Sequence, residues 1–116
     1  MGIAGALALI GCVTDDFKVV DALSEGMTKE QAAKTIASYG FRLESSLNRP
    51  EEGWVDEGES FTNLPGRARR VEEELNTVIA VAEYYPVHHG LLGFGQLFLF
   101  YDGSERLVKY YRRQIN

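Results

Sequence analysis

Two apolar segments joined by turn residues lie near the C-terminus, and they constrain the fold more than any other feature of the sequence. Gln96 to Tyr101 is an apolar run, and Arg106 to Ile115 has the composition of a second strand. Between them, Asp102 and Gly103 are turn residues with Ser104 beside them. The pattern predicts an antiparallel β-hairpin at the end of the chain, and therefore a β-sheet in the fold.

The segments before the hairpin predict further strands. Residues 77–87, TVIAVAEYYPV, are rich in β-branched and aromatic side chains. Phe41, Leu43 and Leu47 alternate with polar residues, which is typical of a half-buried strand. Residues 90–95, GLLGFG, lack the G-x-G-x-x-G order of a phosphate-binding turn, so we interpret them as a loop. The predicted sheet is antiparallel and has three or four strands.

Helical signals precede the sheet. The aspartates at 15–16 are N-cap candidates for a short first helix that Gly26 ends. Thr28 followed three residues later by Gln31 is a capping box, and the helix that begins there ends at Gly40. Apolar residues recur along this second helix at helical spacing, namely Ala32, Ala33, Ile36, Ala37 and Tyr39. The pattern indicates a helix that packs closely against the sheet.

The middle of the chain has weaker signals. Residues 51–60, EEGWVDEGES, contain five carboxylates and a lone Trp54, which favours a solvated loop. The spacing of these carboxylates differs from that of a calcium-binding loop. Residues 67–75 fit either a short helix after Pro65 or the start of a long strand, and we favour the helix. The predicted fold is therefore α+β, with two N-terminal helices packed on the antiparallel sheet in two layers.

Composition excludes several classes of protein. A chain of 116 residues has the length of one domain, so a two-domain enzyme is ruled out. The formal net charge of −5 lacks the basic excess that nucleic-acid binding requires, and we expect no nucleic-acid partner. A single cysteine allows neither an internal disulfide nor a cysteine-rich zinc site.

The first 13 residues contain no charged side chain and differ in composition from the rest. They are too few to span a bilayer as a helix, but they match the apolar region of a secretory signal. The segment ends in Leu9-Ile10-Gly11-Cys12, which resembles a bacterial lipobox, although no basic residue precedes Lys18. We therefore predict a signal-like segment over residues 1–12, lipid attachment at Cys12, and one α+β domain over residues 13–116. The alternative is a buried first strand or helix with an inert core cysteine.

A family resemblance combines these marks. Residues 26–32, GMTKEQA, resemble the start of the second helix in the small outer-membrane lipoproteins of the SmpA/OmlA (BamE-like) family. The lipobox-like residues 9–12, the helix end at Tyr39-Gly40, and the hairpin residues 100–103 with Leu107 beyond them agree in order and approximate spacing. The resemblance covers residues 9–40 and 96–116. It implies a lipid-anchored domain that faces the periplasm, packs helices on a curved antiparallel sheet, and works through protein contacts.

Residues suited to catalysis are scarce. His88 and His89 are adjacent, so on a strand they point to opposite sides and cannot bind one metal ion together. Cys12 lies in an apolar run without a nearby base. We expect no catalytic residues, no cofactor and no metal site.

The last predicted strand is basic in an otherwise acidic chain. Lys109 precedes Tyr110 and Tyr111, and Arg112 and Arg113 follow them. The candidates for contact with a protein partner or with anionic lipid headgroups are Lys109, Tyr111, Arg112 and Arg113. The alternative is an ordinary edge strand protected by charge.

The sequence as a whole predicts a non-catalytic, lipoprotein-like binding module of the cell envelope. It is expected on the periplasmic face of the outer membrane, held there by its N-terminal lipid and bound to a protein partner. Two alternatives stay open. One is a soluble α+β ligand-binding or small enzymatic domain with an apolar pocket between helices and sheet. The other is a soluble interaction protein whose first residues belong to the fold.

Overall fold

The computed structural model describes residues 17–89 and 93–115. The helices are α1 (Phe17–Asp21), α2 (Lys29–Ser38) and α3 (Leu64–Leu75), and the strands are β1 (Ser45–Asn48), β2 (Val81–His89), β3 (Gly93–Tyr101) and β4 (Leu107–Ile115). The predicted signal-like segment, the lipid attachment at Cys12 and the caps at 15–16 lie outside the described residues. The α+β fold is as predicted: helices pack on a four-stranded sheet.

The sheet has the strand order β1-β2-β3-β4, and every neighbouring pair is antiparallel. The predicted C-terminal hairpin is present as β3 and β4. The Asp102 carboxylate closes its turn by accepting from the backbone N–H groups of Ser104 (2.9 Å) and Arg106 (3.0 Å). The glycine-rich segment interpreted as a loop belongs to β3 from Gly93 onwards, because Gly93 and Gly95 pair with β2.

The first strand is shorter than its alternation predicts. β1 is an edge strand of four residues, and neither Leu43 nor Leu47 is buried, with 45% and 39% of their surfaces exposed. Phe41 is buried but precedes the strand. Only one neighbour, β2, pairs with β1, so its outward side chains gain little cover.

Helices α1 and α2 cover one side of the sheet, which we call the α2 face. Its buried strand residues are Val81, Tyr85, Val87, Leu97, Leu99, Tyr101 and Leu107. The capping box is confirmed: Gln31 N–H donates to Thr28 Oγ1 at 3.0 Å, and Thr28 N–H donates to Gln31 Oε1 at 2.9 Å. Gly26 adopts a φ of +95°, and its N–H donates to the Leu107 carbonyl at 2.7 Å. The G-M-T turn thereby fixes α2 to the first residue of β4.

The opposite side of the sheet, which we call the α3 face, is covered by α3. Its buried residues are Trp54, Leu64, Ala68, Val71, Ile79, Ala82, Tyr84, Phe98 and Phe100. The favoured helix over residues 67–75 is therefore present and begins three residues earlier, at Leu64. The expected two layers are corrected to three, because each face of the sheet carries helices. An antiparallel sheet with apolar side chains on both faces needs cover on both.

The acidic segment 51–60 is a loop, as predicted, but Trp54 within it is buried. The indole N–H of Trp54 donates to the Ile79 carbonyl at 3.0 Å. Asn63 holds the end of the loop, since its side chain bonds to Asp56 (2.8 Å) and accepts from Glu57 N–H (2.9 Å). The loop is therefore joined to the α3 face by one buried aromatic side chain and a polar network.

Candidate functional site

An open cleft of about 510 Å³ lies between α2 and the β2 side of the sheet. Its lining comes from α2, the segment after it, β2 and the β3–β4 turn, and comprises Lys29, Glu30, Ala33, Ala37, Phe41, Arg42, Leu43, Glu83, Tyr85 and Glu105. The apolar residues of α2 lie in two environments. Ala32 and Ile36 are buried on the sheet, whereas Ala33 and Ala37 face the cleft. Because a methyl group projects so little, α2 leaves space here.

Glu83 is the buried carboxylate among the residues that line the cleft. It lies on the α2 face opposite Leu99, and only 5% of its surface is exposed. Its Oε1 atom accepts no hydrogen bond from any described residue. A buried acceptor without a donor costs on the order of 1–3 kcal/mol, and more when charged, so folded proteins rarely retain one.

Two tyrosines flank Glu83 on the same face. Tyr85 lies two residues along β2, and Tyr101 lies diagonally across on β3, opposite Val81. The Tyr101 hydroxyl is buried and, like Glu83 Oε1, makes no hydrogen bond within the described part of the chain. The hydroxyls of both tyrosines lie near enough to favour the ionised form of Glu83, although Glu83 Oε1 itself is left without a donor among the described residues. Of the two unsatisfied groups, Glu83 lines the cleft, whereas Tyr101 belongs to the buried core of the α2 face.

Burial sets the protonation of this cluster. It raises the pKa of Glu83 above the ordinary value of 4.5, and the Tyr101 hydroxyl, the Lys29 charge and the Tyr85 hydroxyl oppose that rise. Burial, reinforced by the charge of Glu83, also raises the pKa of Tyr85 and of Tyr101. Both tyrosines are therefore neutral hydrogen-bonding groups at neutral pH.

Charged groups surround the cleft mouth. Lys29 pairs with Glu105 at 3.7 Å, and both side chains are partly exposed. Glu30 pairs with Lys34 one turn along α2 at 3.3 Å. Of the charged lining residues, Glu30, Glu83 and Glu105 are acidic and Lys29 and Arg42 are basic, so the formal sum is −1 when Glu83 is ionised. A weakly negative cleft with a buried acceptor at its floor suits a donor ligand better than an anion.

The structure divides the basic residues predicted on β4 between the two faces. Lys109, Tyr111 and Arg113 pair with Phe100, Phe98 and Gln96, which places them on the α3 face, whereas Arg112 pairs with Leu97 on the α2 face. Lys109 binds Glu74 of α3 at 2.9 Å, and Arg113 donates to Gln96 Oε1 at 3.2 Å. Arg112 donates to the side chain of Gln114. The four residues do not form one patch.

Tyr111 is part of the packing. Its ring lies 5.3 Å from that of Phe98 and 5.8 Å from that of Phe100. Its hydroxyl accepts from Arg67 of α3 at 3.0 Å, and the guanidinium of Arg67 lies 4.3 Å from the centre of the Phe98 ring. Tyr111 thus links β4 to α3.

The histidine pair ends β2, and the described side chain of the two, that of His88, does not line the cleft. The ring of His88 is exposed and lies 6.5 Å from that of Phe41 and 6.4 Å from that of Phe94. Over residues 17–89 and 93–115, no three His, Cys, Asp or Glu side chains cluster in a way that can hold a metal ion. Among these same residues, no helix has the length and apolar character needed to cross a membrane.

Glu83 did not emerge as a candidate from the sequence, although a signal was present. It is the lone carboxylate within TVIAVAEYYPV, a run otherwise suited to a buried strand. Such residues are almost never fully buried unless paired. A carboxylate at an inward position of a predicted strand therefore indicates a residue whose burial is costly and which is a candidate for a functional role.

Comparison of the chain with protein-family models, with curated proteins and with solved structures found no match.

Proposed function

We propose that this chain is a non-catalytic binding module of the cell envelope that receives a protein partner in the cleft between α2 and β2. The observation that carries the proposal is the buried, unpartnered carboxylate of Glu83 at the floor of an open cleft. Polar groups left unsatisfied in a folded protein are costly, and a ligand that satisfies them recovers that cost on binding.

The chemistry of the cleft favours binding over catalysis. Among the residues that the structure describes, no histidine or cysteine lines the cleft, and the raised pKa of Tyr85 keeps its hydroxyl protonated at neutral pH, so Tyr85 does not serve as a base. Glu83 has neighbouring hydroxyls but no basic side chain hydrogen-bonded to it among the described residues. The cleft supplies a hydrogen-bond acceptor and apolar surface.

The envelope location rests on the sequence. We propose that lipid attached to Cys12 anchors the module on the periplasmic face of the outer membrane, in line with the SmpA/OmlA resemblance. Metabolic labelling with a radiolabelled fatty acid, in the parent and in a Cys12→Ser variant, tests this. Label in the parent alone supports the anchor, and equal labelling of both chains contradicts it.

A small-molecule ligand-binding domain is the second candidate. The position of the cleft between α2 and the sheet favours it, since such sites occur between packed elements and combine apolar walls with few polar groups. The openness of the cleft argues for a protruding group of a larger partner over an enclosed small molecule.

Photo-cross-linking in cells separates the two candidates. A photoreactive amino acid at Ala37 projects from the cleft wall, and one at Glu73 on the exposed side of α3 is the control. The proposal predicts a discrete protein adduct at position 37 that a second substitution, Glu83→Gln, reduces, and no such adduct at position 73. The absence of a protein adduct at position 37 would favour the small-molecule candidate.

A further inference from the structure

We propose that the cleft recognises an organic cation on an aliphatic stem, such as a lysine or arginine side chain of the partner, whose N–H groups donate to Glu83 Oε1. This inference rests on the proposed function and names the chemical group that the partner presents. It follows from three features of the cleft: an acceptor at the floor, apolar walls, and a mouth at which Lys29 is paired with Glu105 and Glu30 with Lys34.

The carboxylate of Glu83 at the floor of the cleft requires a ligand that donates a hydrogen bond. Glu83 is 5% exposed and Tyr101 is fully buried, and Glu83 Oε1 and the Tyr101 oxygen both lack hydrogen-bond partners among the described residues. An ammonium carries three N–H donors and a guanidinium five, so either can satisfy Glu83 Oε1, the unpartnered oxygen that belongs to a lining residue. A hydroxyl ligand carries one donor and leaves the charge of an ionised Glu83 unbalanced. An anionic ligand would meet that charge directly, and repulsion excludes it.

The walls accommodate an apolar stem. Methyl groups of Ala33 and Ala37 line the α2 side, and Phe41 and Leu43 line the segment that follows. Leu43 is 45% exposed, so covering it removes apolar surface from water. Long basic side chains bury their methylene stems along apolar surface while the cation meets a polar group. The ring of Tyr85 adds an aromatic surface near the acceptor.

The charged groups around Glu83 leave it available. Titratable groups that face the cleft are Lys29 and Glu30 of α2, Arg42 after it, Tyr85 of β2 and Glu105 of the β3–β4 turn. Tyr101 of β3 acts on Glu83 from the buried core. Lys29 is the basic residue of the described chain whose charge acts on Glu83, so it could take the place of a cationic ligand. Its Nζ, however, pairs with Glu105 at 3.7 Å. Lys29 therefore lowers the pKa of Glu83 through its charge without satisfying Oε1.

A titration of the full chain with blocked amino acids tests the inference. The probes are the Nα-acetyl methylamides of lysine, arginine and norleucine, the last of which has a comparable stem without the charge. Methyl signals of Ala33 and Ala37 in NMR spectra report binding at the cleft. We expect the cationic probes to bind with a Kd on the order of millimolar, as suits ligands of this size. We expect norleucine to bind at least about ten-fold more weakly, the factor that corresponds to about 1.4 kcal/mol.

Two variants and a control identify the acceptor. Glu83→Gln keeps the shape of the side chain and is expected to weaken the cationic probes about ten-fold or more. Glu73→Gln removes the same charge from the far side of α3 and is expected to leave binding unchanged. Ala37→Leu fills the cleft from an exposed helix position, so it blocks binding without disturbing the core. Equal binding by norleucine and lysine, or equal binding by the parent and Glu83→Gln, overturns the inference.

The free diamine putrescine separates the two sources of such a cation. Binding of the blocked lysine or arginine with little binding of putrescine supports a side chain of a protein partner. Preferential binding of putrescine supports the cation chemistry of Glu83 but contradicts the protein partner of the proposed function. If no cation binds while the Ala37 cross-link forms, the cation inference fails and the protein-binding cleft stands.

Discussion

The two faces of the sheet are covered in different ways. On the α3 face, polar groups are satisfied: the buried Trp54 indole donates to the Ile79 carbonyl, and the partly buried Arg67 donates to the Tyr111 hydroxyl. On the α2 face lie the two buried side-chain atoms that have no partner among the described residues, Glu83 Oε1 and the Tyr101 oxygen. The α2 face therefore retains buried polar groups that cost stability, and under the proposed function Glu83 is kept there for a ligand.

The largest expected effect belongs to the α3 face. Trp54→Ala removes a buried side chain that joins the acidic loop to the sheet, and we expect a loss of about 3–5 kcal/mol in the free energy of unfolding. Urea unfolding measures it. Trp54→Phe keeps an aromatic ring but loses the bond to Ile79, so a smaller loss of about 1–2 kcal/mol is expected. A loss below about 1 kcal/mol for Trp54→Ala would contradict a major contribution of the α3 face to stability.

The second prediction concerns Glu83 on the α2 face, where we expect a substitution to increase the free energy of unfolding. Because burial raises the pKa of Glu83, the folded protein holds that proton more tightly than the unfolded chain. This contribution to stability is present below pH 4.5 and is lost as the pH rises through the raised pKa. Glu83→Gln cannot ionise, so at pH 8 we expect it to be about 1–3 kcal/mol more stable than the parent.

Urea unfolding of both chains at pH 4 and pH 8 checks this prediction, because the difference between them cancels the other titrating groups. The gain from Glu83→Gln should be near zero at pH 4 and positive at pH 8. Glu73→Gln, on the exposed side of α3, is expected to change stability by less than about 0.5 kcal/mol at either pH. A variant that is less stable than the parent at pH 8 would show that ionised Glu83 is already satisfied in the free protein.

A smaller loss of stability is expected from a substitution that affects α2 alone, and it tests whether the two faces open independently. Thr28→Ala removes the N-cap of α2, and we expect a loss of about 1 kcal/mol. Hydrogen exchange followed by NMR should show faster exchange of the α2 amides, while the α3 amides keep the rates that global unfolding sets. Thr28→Ser, which retains the hydroxyl, is the matched control. Equal acceleration in both helices would mean that the two faces open together.

The smallest effect concerns the ion pair between Lys109 and Glu74. The two side chains are 31% and 56% exposed, and pairs of this kind contribute about 0–1 kcal/mol. We expect Lys109→Ala to cost no more than this, and a double-mutant cycle with Glu74→Ala measures the coupling. A coupling well above 1 kcal/mol would assign Lys109 a role in holding α3 on the sheet.

Local signals predicted much of the fold. The capping box at Thr28 and the turn at Asp102 both depend on contacts within a few residues, and both are present. The third layer was harder to foresee, since the outer cover of Tyr84 and Phe98 comes from α3 and from a loop that reads as solvated.

The cleft itself depends on contacts between distant parts of the chain. Ala33 and Ala37 read as core residues at helical spacing, and only the placement of α2 relative to β2 shows that they face open space. The basic residues of β4 illustrate the reverse case. Their clustering in sequence is broken by the alternation of a strand, which sends Arg112 to one face and Arg113 to the other.

The most direct test of the account is a titration of the Glu83 side-chain carboxyl by NMR, in the free full chain and in the presence of saturating blocked lysine. We expect the pKa of Glu83 to lie above 4.5 in the free chain and to fall when the cation binds, because the ligand stabilises the ionised form. Blocked norleucine should not lower it. A free-chain pKa at or below 4.5, or the same pKa with and without the cation, would contradict the claim that Glu83 is held unpaired for a ligand.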